Sequence, residues 1–286
     1  FFFFIENDFE NDDERFEFTL RYSSYAQALA SLPEVKKRAY LYGDWDNFEG
    51  QFFDKLVRDI HFIDPFDIPE DWYRNGSMDY GNTSVSHHLR VNHNQDMFCT
   101  NEWTFLKGHT MEKAKDYYDW NLQHDLTNKN FKVFCDTNMK DIHNEHEEKI
   151  SPLDKFKAYF RVRDPECSIR FDTVTKSSPD KRRPRIYMND EVLSRLDWKK
   201  DKYGMWIYKP KLYIFKTCPK LFSTMSELQV DEDDIEDIDQ SQDNDHHYDS
   251  LKYNVVTCKL NSSYIADRDR TANIEAELRY KQQFMN

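Results

Sequence analysis

The chain has 286 residues, 16% of them aromatic and 33% charged, and a formal net charge of −13. This composition excludes a disordered or fibrous protein, and the length suffices for one large domain or two smaller ones. The acidic balance argues against a protein that coats nucleic acid by bulk electrostatics. No segment approaches the ~20 consecutive apolar residues that a membrane span needs, so we expect no membrane partner.

The first part of the chain predicts a helix over residues 14–31 and then a connector of short extended pieces over residues 52–68, with Pro65 inside it and Pro69 directly after it. The apolar run at residues 1–5 predicts a strand whose neighbours lie elsewhere. We therefore expect the chain to begin partway through a larger protein. Five cysteines without a C-x-x-C pair favour reduced thiols over a disulfide framework.

The next elements predict a sheet. A short strand ends near Asp79, and residues 84–91 and 96–102 are strand candidates separated by a turn, which is typical of an antiparallel meander. Thr110 is a candidate cap for the helix that follows, and its predicted apolar stripe is Met111, Ala114, Tyr118 and Leu122.

The remaining elements complete an α/β layout. Residues 131–136 and 211–215 have the apolar character of buried strands, residues 141–159 predict a helix, and a last helix covers residues 245–253. Together with the meander, this order predicts a mixed sheet flanked by helices.

Carboxylates stand at the ends of these elements. Asp79 ends the first strand, Asp136 ends the strand after the first helix, and Asp245 and Asp249 open the last helix one turn apart. The carboxyl ends of neighbouring parallel strands meet at one edge of a sheet. Such a cluster suits two divalent ions, with Mg²⁺ preferring these oxygens. The alternative for Asp245 and Asp249 is a solvated acidic helix start.

Several short motifs follow one another along the chain, namely G-D-W-D at 43–46, M-D-Y-G at 78–81, D-T-N-M at 136–139, S-P-D-K at 178–181 and D-H-H-Y-D-S-L-K-Y at 245–253. Their order resembles that of one protein family, the large terminase subunit of tailed bacteriophages. The resemblance implies a ribonuclease-H-like nuclease domain over residues 67–265. It also implies a C-terminal remnant of the ATPase domain with its linker over residues 1–66, and a tail over residues 266–286.

The resemblance also implies an activity, which is cutting concatemeric double-stranded viral DNA with Mg²⁺ or Mn²⁺ at a two-metal site. The family's catalytic acids fall on Asp79, Asp136 and either Asp249 or Asp245, of which Asp249 is preferred. Asp245 is also expected near the metal, and Glu102 is a further candidate metal ligand. The implied partners are the viral DNA, the portal protein, the small terminase subunit and the ATPase half of the terminase. The implied location is the host cytoplasm, at the procapsid portal.

Three further features bear on the chemistry of the chain. A basic loop offers phosphate contacts, with a solvated charged loop as the alternative. Its cations are Lys176, Lys181, Arg182, Arg183 and Arg185.

No glycine of the sequence is followed by lysine, so a Walker loop is missing and we expect no ATPase activity from this sequence. His246 and His247 could orient a metal ligand or lie on the helix surface.

Two other functions remain open at this point. A non-catalytic assembly module that docks on the portal or the small subunit would explain the missing ATPase core. Another enzyme of the same fold, such as a junction resolvase, is disfavoured because it has no reason to carry the G-D-W segment at 43–45.

Overall fold

The computed structural model describes residues 50–141, 150–175, 183–239, 241 and 245–258. These residues all belong to one compact unit, Gly50–Asn286. Several predictions lie outside the described residues. They are the ATPase remnant as far as residue 49, the helix over 14–31, the tail over 266–286, and the loop cations Lys176, Lys181 and Arg182.

The described part of the chain contains nine strands and six α-helices. The strands are β1 (Phe62–Ile63), β2 (Tyr73–Asp79), β3 (Thr83–Val91), β4 (Met97–Leu106), β5 (Phe131–Cys135), β6 (Ile169–Thr173), β7 (Lys199–Lys200), β8 (Trp206–Tyr208) and β9 (Leu212–Phe215). The helices are α1 (Arg58–His61), α2 (Thr110–Gln123), α3 (Pro152–Arg163), α4 (Pro184–Leu196), α5 (Pro219–Glu227) and α6 (His246–Thr257), with a 3₁₀ helix at Thr137–Lys140.

Seven of these strands form one mixed sheet in the order β1-β9-β4-β3-β2-β5-β6. Strands β2, β3 and β4 are antiparallel neighbours, which confirms the predicted meander. Strand β5 runs parallel to β2, and β6 runs parallel to β5. The sheet is therefore the predicted mixed one, with the carboxyl ends of β2 and β5 at the same edge.

Helices cover both faces of the sheet, and each face has its own apolar core. On one face, Met78 and Trp103 pack with Tyr117 of α2 and Phe156 of α3. A second core, on the α6 side, joins Leu89 and Ile214 to side chains of α4, α5 and α6, among them Val192, Leu221 and Leu251. This three-layer arrangement buries the central strands and holds their ends in fixed positions.

The buried face of α2 differs from the predicted one. Met111 and Leu122 are exposed, whereas Tyr117 and Asn121 are buried. Thr110 is the first helical residue rather than the cap, which is His109. The buried face of the helix carries polar groups, such as the Thr110 hydroxyl, which lies 2.7 Å from the Tyr80 hydroxyl. Because the prediction considered apolar residues only, it assigned the wrong residues to the buried face.

The segment 50–66 packs against the sheet. Phe53 and Leu56 lie in the apolar core, and the two-residue strand β1 pairs in parallel with β9. The domain division between residues 66 and 67 stays a prediction. Among the helices of the described residues, none has the length and apolar character needed to cross a membrane.

Candidate metal centre

The ends of β2 and β5 bring two of the predicted acids together. Asp79 is the last residue of β2, and Asp136 directly follows β5. Met78 and Cys135 are register partners, and the backbone N–H of Asp136 donates to the carbonyl of Met78 at 3.0 Å. Parallel pairing therefore places both carboxylates at one edge of the sheet, where each residue is less than 10% exposed (8% for Asp79 and 7% for Asp136).

Helix α6 crosses β2 and brings the third acid, Asp249, to this edge. His246 Nδ1 lies 2.9 Å from Asp79 Oδ2 at the start of the helix. Further along, the hydroxyls of Ser250 and Ser77 are 3.0 Å apart, and Asn75 Nδ2 donates to the Thr257 hydroxyl at 2.7 Å. These contacts use alternate residues of β2, because alternate side chains of a strand share a face.

The electrostatics of the edge show that the three acids share one environment. Burial raises the pKa of Asp79, and the negative charges of Asp249 and Asp136 raise it further. The pKa of the Tyr253 hydroxyl is also raised, first by burial and then by the charges of Asp249, Asp79 and Asp136. Like charges held close together favour either a proton or a cation between them.

Neighbouring side chains fix the orientation of the carboxylates. Tyr253 donates from its hydroxyl to Asp136 Oδ2 at 2.6 Å, while the backbone N–H of Asn138 donates to Asp136 Oδ1 at 3.1 Å. Lys252 Nζ donates to Asp249 Oδ1 at 2.5 Å. The hydrogen bond to Asp79 raises the pKa of His246, since the protonated ring is the better donor to a carboxylate.

The other two candidate ligands differ in their positions. Asp245 directly precedes α6, and its pKa is raised by burial and then by the charge of Asp249. Glu102 lies within β4, which is separated from β2 by β3. Its two carboxylate oxygens accept the backbone N–H groups of Lys220 and Leu221, at 3.1 and 3.0 Å, at the start of α5. Its role at the Asp79 centre stays a prediction.

The two described cations of the basic loop are ion-paired. Arg183 donates to Asp234, and Arg185 Nε lies 2.8 Å from Asp237 Oδ1. Arg185 is the second residue of α4 rather than part of a loop, because Pro184 suits the first position of a helix. DNA contact by these cations stays a prediction.

Sequence reasoning did not assign Tyr253 or Lys252 to this site, and it left His246 between two roles. A signal for all three was present. Residues three and four apart share a helix face, so Asp249 lies on the same face as His246, Lys252 and Tyr253.

The donor set fits a divalent cation. Carboxylate oxygens are the preferred ligands of Mg²⁺ and suit Mn²⁺. Burial, and after it the charges of Asp249 and Asp136, raise the pKa of Asp79, and a cation at this edge would offset the cost of its buried charge. The residues of this edge therefore match a hard divalent ion in both chemistry and charge.

Solved structures share this fold. The chain is similar to the nuclease domain of the P22 large terminase, with a TM-score of 0.50 and 18% identity over 73% of this chain and 92% of that one. This chain has the fold of a terminase nuclease domain. The ribonuclease-H-like fold predicted from the motifs is thereby confirmed.

Other terminases are similar at lower scores. For the large terminase of the thermophilic bacteriophage D6E in complex with ADP, the TM-score is 0.48 at 18% identity, over 83% of this chain and 52% of that one. For the bacteriophage SPP1 large terminase nuclease domain with bound Mn, the TM-score is 0.38 at 11% identity, over 63% and 83%. The chain thus spans about half the length of the D6E terminase. No family model and no curated protein sequence matches it.

Proposed function

We propose that this chain is a metal-dependent DNA endonuclease, the nuclease half of a terminase large subunit, which cuts concatemeric viral DNA during genome packaging. The observation that carries the proposal is the meeting of Asp79, Asp136 and Asp249 at one edge of a sheet with the terminase nuclease fold. These acids are distant in sequence, and the fold brings them within electrostatic reach of each other.

The three carboxylates would hold Mg²⁺ or Mn²⁺, with Asp245 beside them. Bound divalent ions supply an activated water and stabilise the leaving oxygen of phosphodiester hydrolysis. The protein's own contribution is to fix the ligands. Tyr253 holds Asp136, His246 holds Asp79, and Lys252 partly balances the charge of Asp249.

The substrate would be double-stranded viral DNA, held by the cations near residues 176–185. Because the sequence carries no Walker loop, the ATPase half would be supplied by other sequence, and the chain itself would not hydrolyse ATP. The proposed partners are therefore that ATPase half, the portal protein and the small terminase subunit, at the procapsid portal in the host cytoplasm.

Plasmid nicking tests the proposal. Supercoiled DNA incubated with the chain should be nicked and linearised in Mg²⁺ or Mn²⁺ and left intact in EDTA. Asp136→Asn should lose this cleavage because the amide oxygen can still accept the Tyr253 hydroxyl but carries no negative charge to bind a divalent cation. Asp172→Asn removes a carboxylate from an exposed position of β6 and should cut normally. Equal cleavage by Asp136→Asn, or folded protein inert in both metals, would reject the proposal and favour an assembly role.

The close approach of α6 to β2 gives a further prediction. Ser250 and Ser77 are both fully buried, with their hydroxyls 3.0 Å apart, so a larger side chain has no room there. We expect Ser250→Leu to push α6 outward, to lower stability by about 1–3 kcal/mol, and to reduce nicking at least tenfold at a temperature where the variant is folded. Urea unfolding and nicking rates check both effects, and Ser250→Ala is the matched control that should keep the cleavage rate within about twofold. Full activity in Ser250→Leu would show that the helix position is not critical.

The ion pair of Arg183 with Asp234 leads to a prediction about DNA affinity. Removing the carboxylate should free the arginine for phosphate and strengthen DNA binding about two- to threefold at low salt. Asp234→Asn can be compared with Asp233→Asn, which removes the same charge from the same loop and leaves the Arg183 pair in place. Fluorescence anisotropy in EDTA, where DNA is not cut, gives the affinities. Equal gains in both variants would mean that net charge alone is responsible.

A further inference from the structure

A second group of metal-ligating side chains lies beneath the acidic edge. His87 of β3, Glu102 of β4 and His247 of α6 each offer one ligand atom, and these atoms all lie within 4.8 Å of one another. His247 Nδ1 is 3.3 Å from His87 Nε2 and 3.8 Å from Glu102 Oε2. His87 is fully buried, and His247 is 6% exposed.

The group is separate from the Asp79 centre. His87 is the register partner of both Ser77 and Glu102, so the group lies two residues back along β2 from Asp79. Its donors are also different, since they are two imidazoles and one carboxylate. This set suits zinc and similar transition metals, whereas Mg²⁺ prefers oxygen ligands.

The spacing matches ligands around a single ion. Zinc–nitrogen bonds of about 2.0–2.1 Å in a tetrahedron place neighbouring ligand atoms about 3.3 Å apart. The distance of 3.3 Å between His247 Nδ1 and His87 Nε2 matches this value, and the distance of 3.8 Å between His247 Nδ1 and Glu102 Oε2 is slightly longer.

Hydrogen bonds among the described residues orient the three side chains but do not use all of their polar atoms. The N–H groups of Lys220 and Leu221 hold Glu102. His247 Nε2 lies 3.4 Å from the Thr104 hydroxyl, which suits a metal ligand whose other ring nitrogen is fixed by a neighbour. On His87, Nε2 faces His247 Nδ1 and is the candidate ligand atom, whereas the buried Nδ1 has no hydrogen-bond partner among the described residues.

We propose that His87, Glu102 and His247 bind one transition-metal ion, with Zn²⁺ as the best match to two nitrogen donors and one oxygen donor. The ion would join α6 to β3 and β4, and through Glu102 to the start of α5. Because α6 also carries His246 and Asp249, this site would hold in place the helix that completes the acidic centre. The proposal does not depend on nuclease activity.

Cobalt binding to the purified, EDTA-treated chain tests the site directly. Co²⁺ should bind at one equivalent with visible absorption bands of a low-coordinate nitrogen and oxygen site, and Zn²⁺ should bleach them stoichiometrically while millimolar Mg²⁺ should not. The signal should survive in Asp136→Asn, which alters only the acidic edge. Wild-type protein that shows no such band and retains no zinc by elemental analysis would overturn the proposal, whatever its nuclease activity.

Variants locate the ligands. His87→Ala and His247→Ala should lose the cobalt band, Glu102→Gln should weaken Zn²⁺ binding at least tenfold, and the exposed His93→Ala should bind normally. At a hundredfold excess over its Kd, Zn²⁺ should raise the thermal midpoint of the wild-type chain by about 5 °C or more, and at the same concentration this rise should fall by about half or more in Glu102→Gln. An undiminished rise in both Glu102→Gln and His247→Ala would place the zinc elsewhere.

Discussion

Replacing Asp79 by asparagine should abolish Mg²⁺-dependent cleavage while leaving the metal-free protein about as stable as the unmodified chain. The loss should be about a thousandfold or more, because a metal ligand contributes several kcal/mol to the stabilisation of developing charge. Stability should change by no more than about 1 kcal/mol, since the lost hydrogen bond with His246 is offset by relief of the unfavourable buried charge.

The contrast between activity and stability makes this prediction specific. A residue needed only for folding would lose both together. Thermal unfolding with and without Mn²⁺ should show that the metal stabilises the unmodified chain and has a much smaller effect on Asp79→Asn, while nicking assays give the activity. Asp172→Asn, at an exposed strand position, should keep both the metal response and the cleavage rate. An Asp79→Asn protein that still cuts at the wild-type rate would remove Asp79 from the proposed metal ligands.

The acidic edge was predictable from sequence because each of its acids marks the end of an element. Asp79 and Asp136 end strands, and parallel strands end at a common edge, so their meeting requires only that the strands be neighbours. Asp249 follows from its place in the first turn of the last helix. The order of the motifs also predicted the ribonuclease-H-like fold, which the sheet topology and the comparison with the P22 nuclease domain confirm.

The histidine group was not predictable, because its formation depends on strand register. His87 and His88 are adjacent in sequence but face opposite sides of the sheet, one toward His247 and the other toward Tyr117. A shift of one residue would exchange them. Only the pairing of His87 with Glu102 decides which histidine joins the carboxylate.

The elements that sequence reasoning missed have weak local patterns. Strand β6 has five residues of which only Ile169 and Phe171 are buried, and α4 begins directly after a basic stretch that favours a loop. The core contacts of Val192 and Leu196 hold α4 in place. Tertiary packing, rather than local propensity, therefore determines these parts of the fold.

Acidification below pH 6 should destabilise the chain strongly, and His88 should be a main cause. His88 is 2% exposed, and its Nε2 lies 3.2 Å from the Tyr117 hydroxyl among aromatic rings. Burial lowers its pKa from 6.5 to about 3, with a smaller contribution from the charge of Arg74. The folded state therefore keeps the ring neutral at pH values where the unfolded chain binds a proton.

The sign of the effect follows from proton binding. Between pH 6.5 and about 3 the unfolded state holds more protons at His88 than the folded state does, so stability falls as pH falls through this range. The loss is about 1.4 kcal/mol per pH unit for one histidine, or about 2 kcal/mol between pH 6.5 and 5. Burial also lowers the pKa of His61, which adds a contribution of the same sign.

Substitution of His88 by glutamine isolates this contribution. Glutamine can still bond the Tyr117 hydroxyl but does not titrate, so His88→Gln should lose about 2 kcal/mol less than the unmodified chain between pH 6.5 and 5. Urea unfolding in EDTA at several pH values measures the difference without bound metal. His93→Gln, at an exposed position on the same hairpin, should follow the unmodified chain. Parallel pH curves for His88→Gln and the unmodified chain would show that acid destabilisation arises from other groups, since a buried neutral histidine cannot be removed without changing the slope.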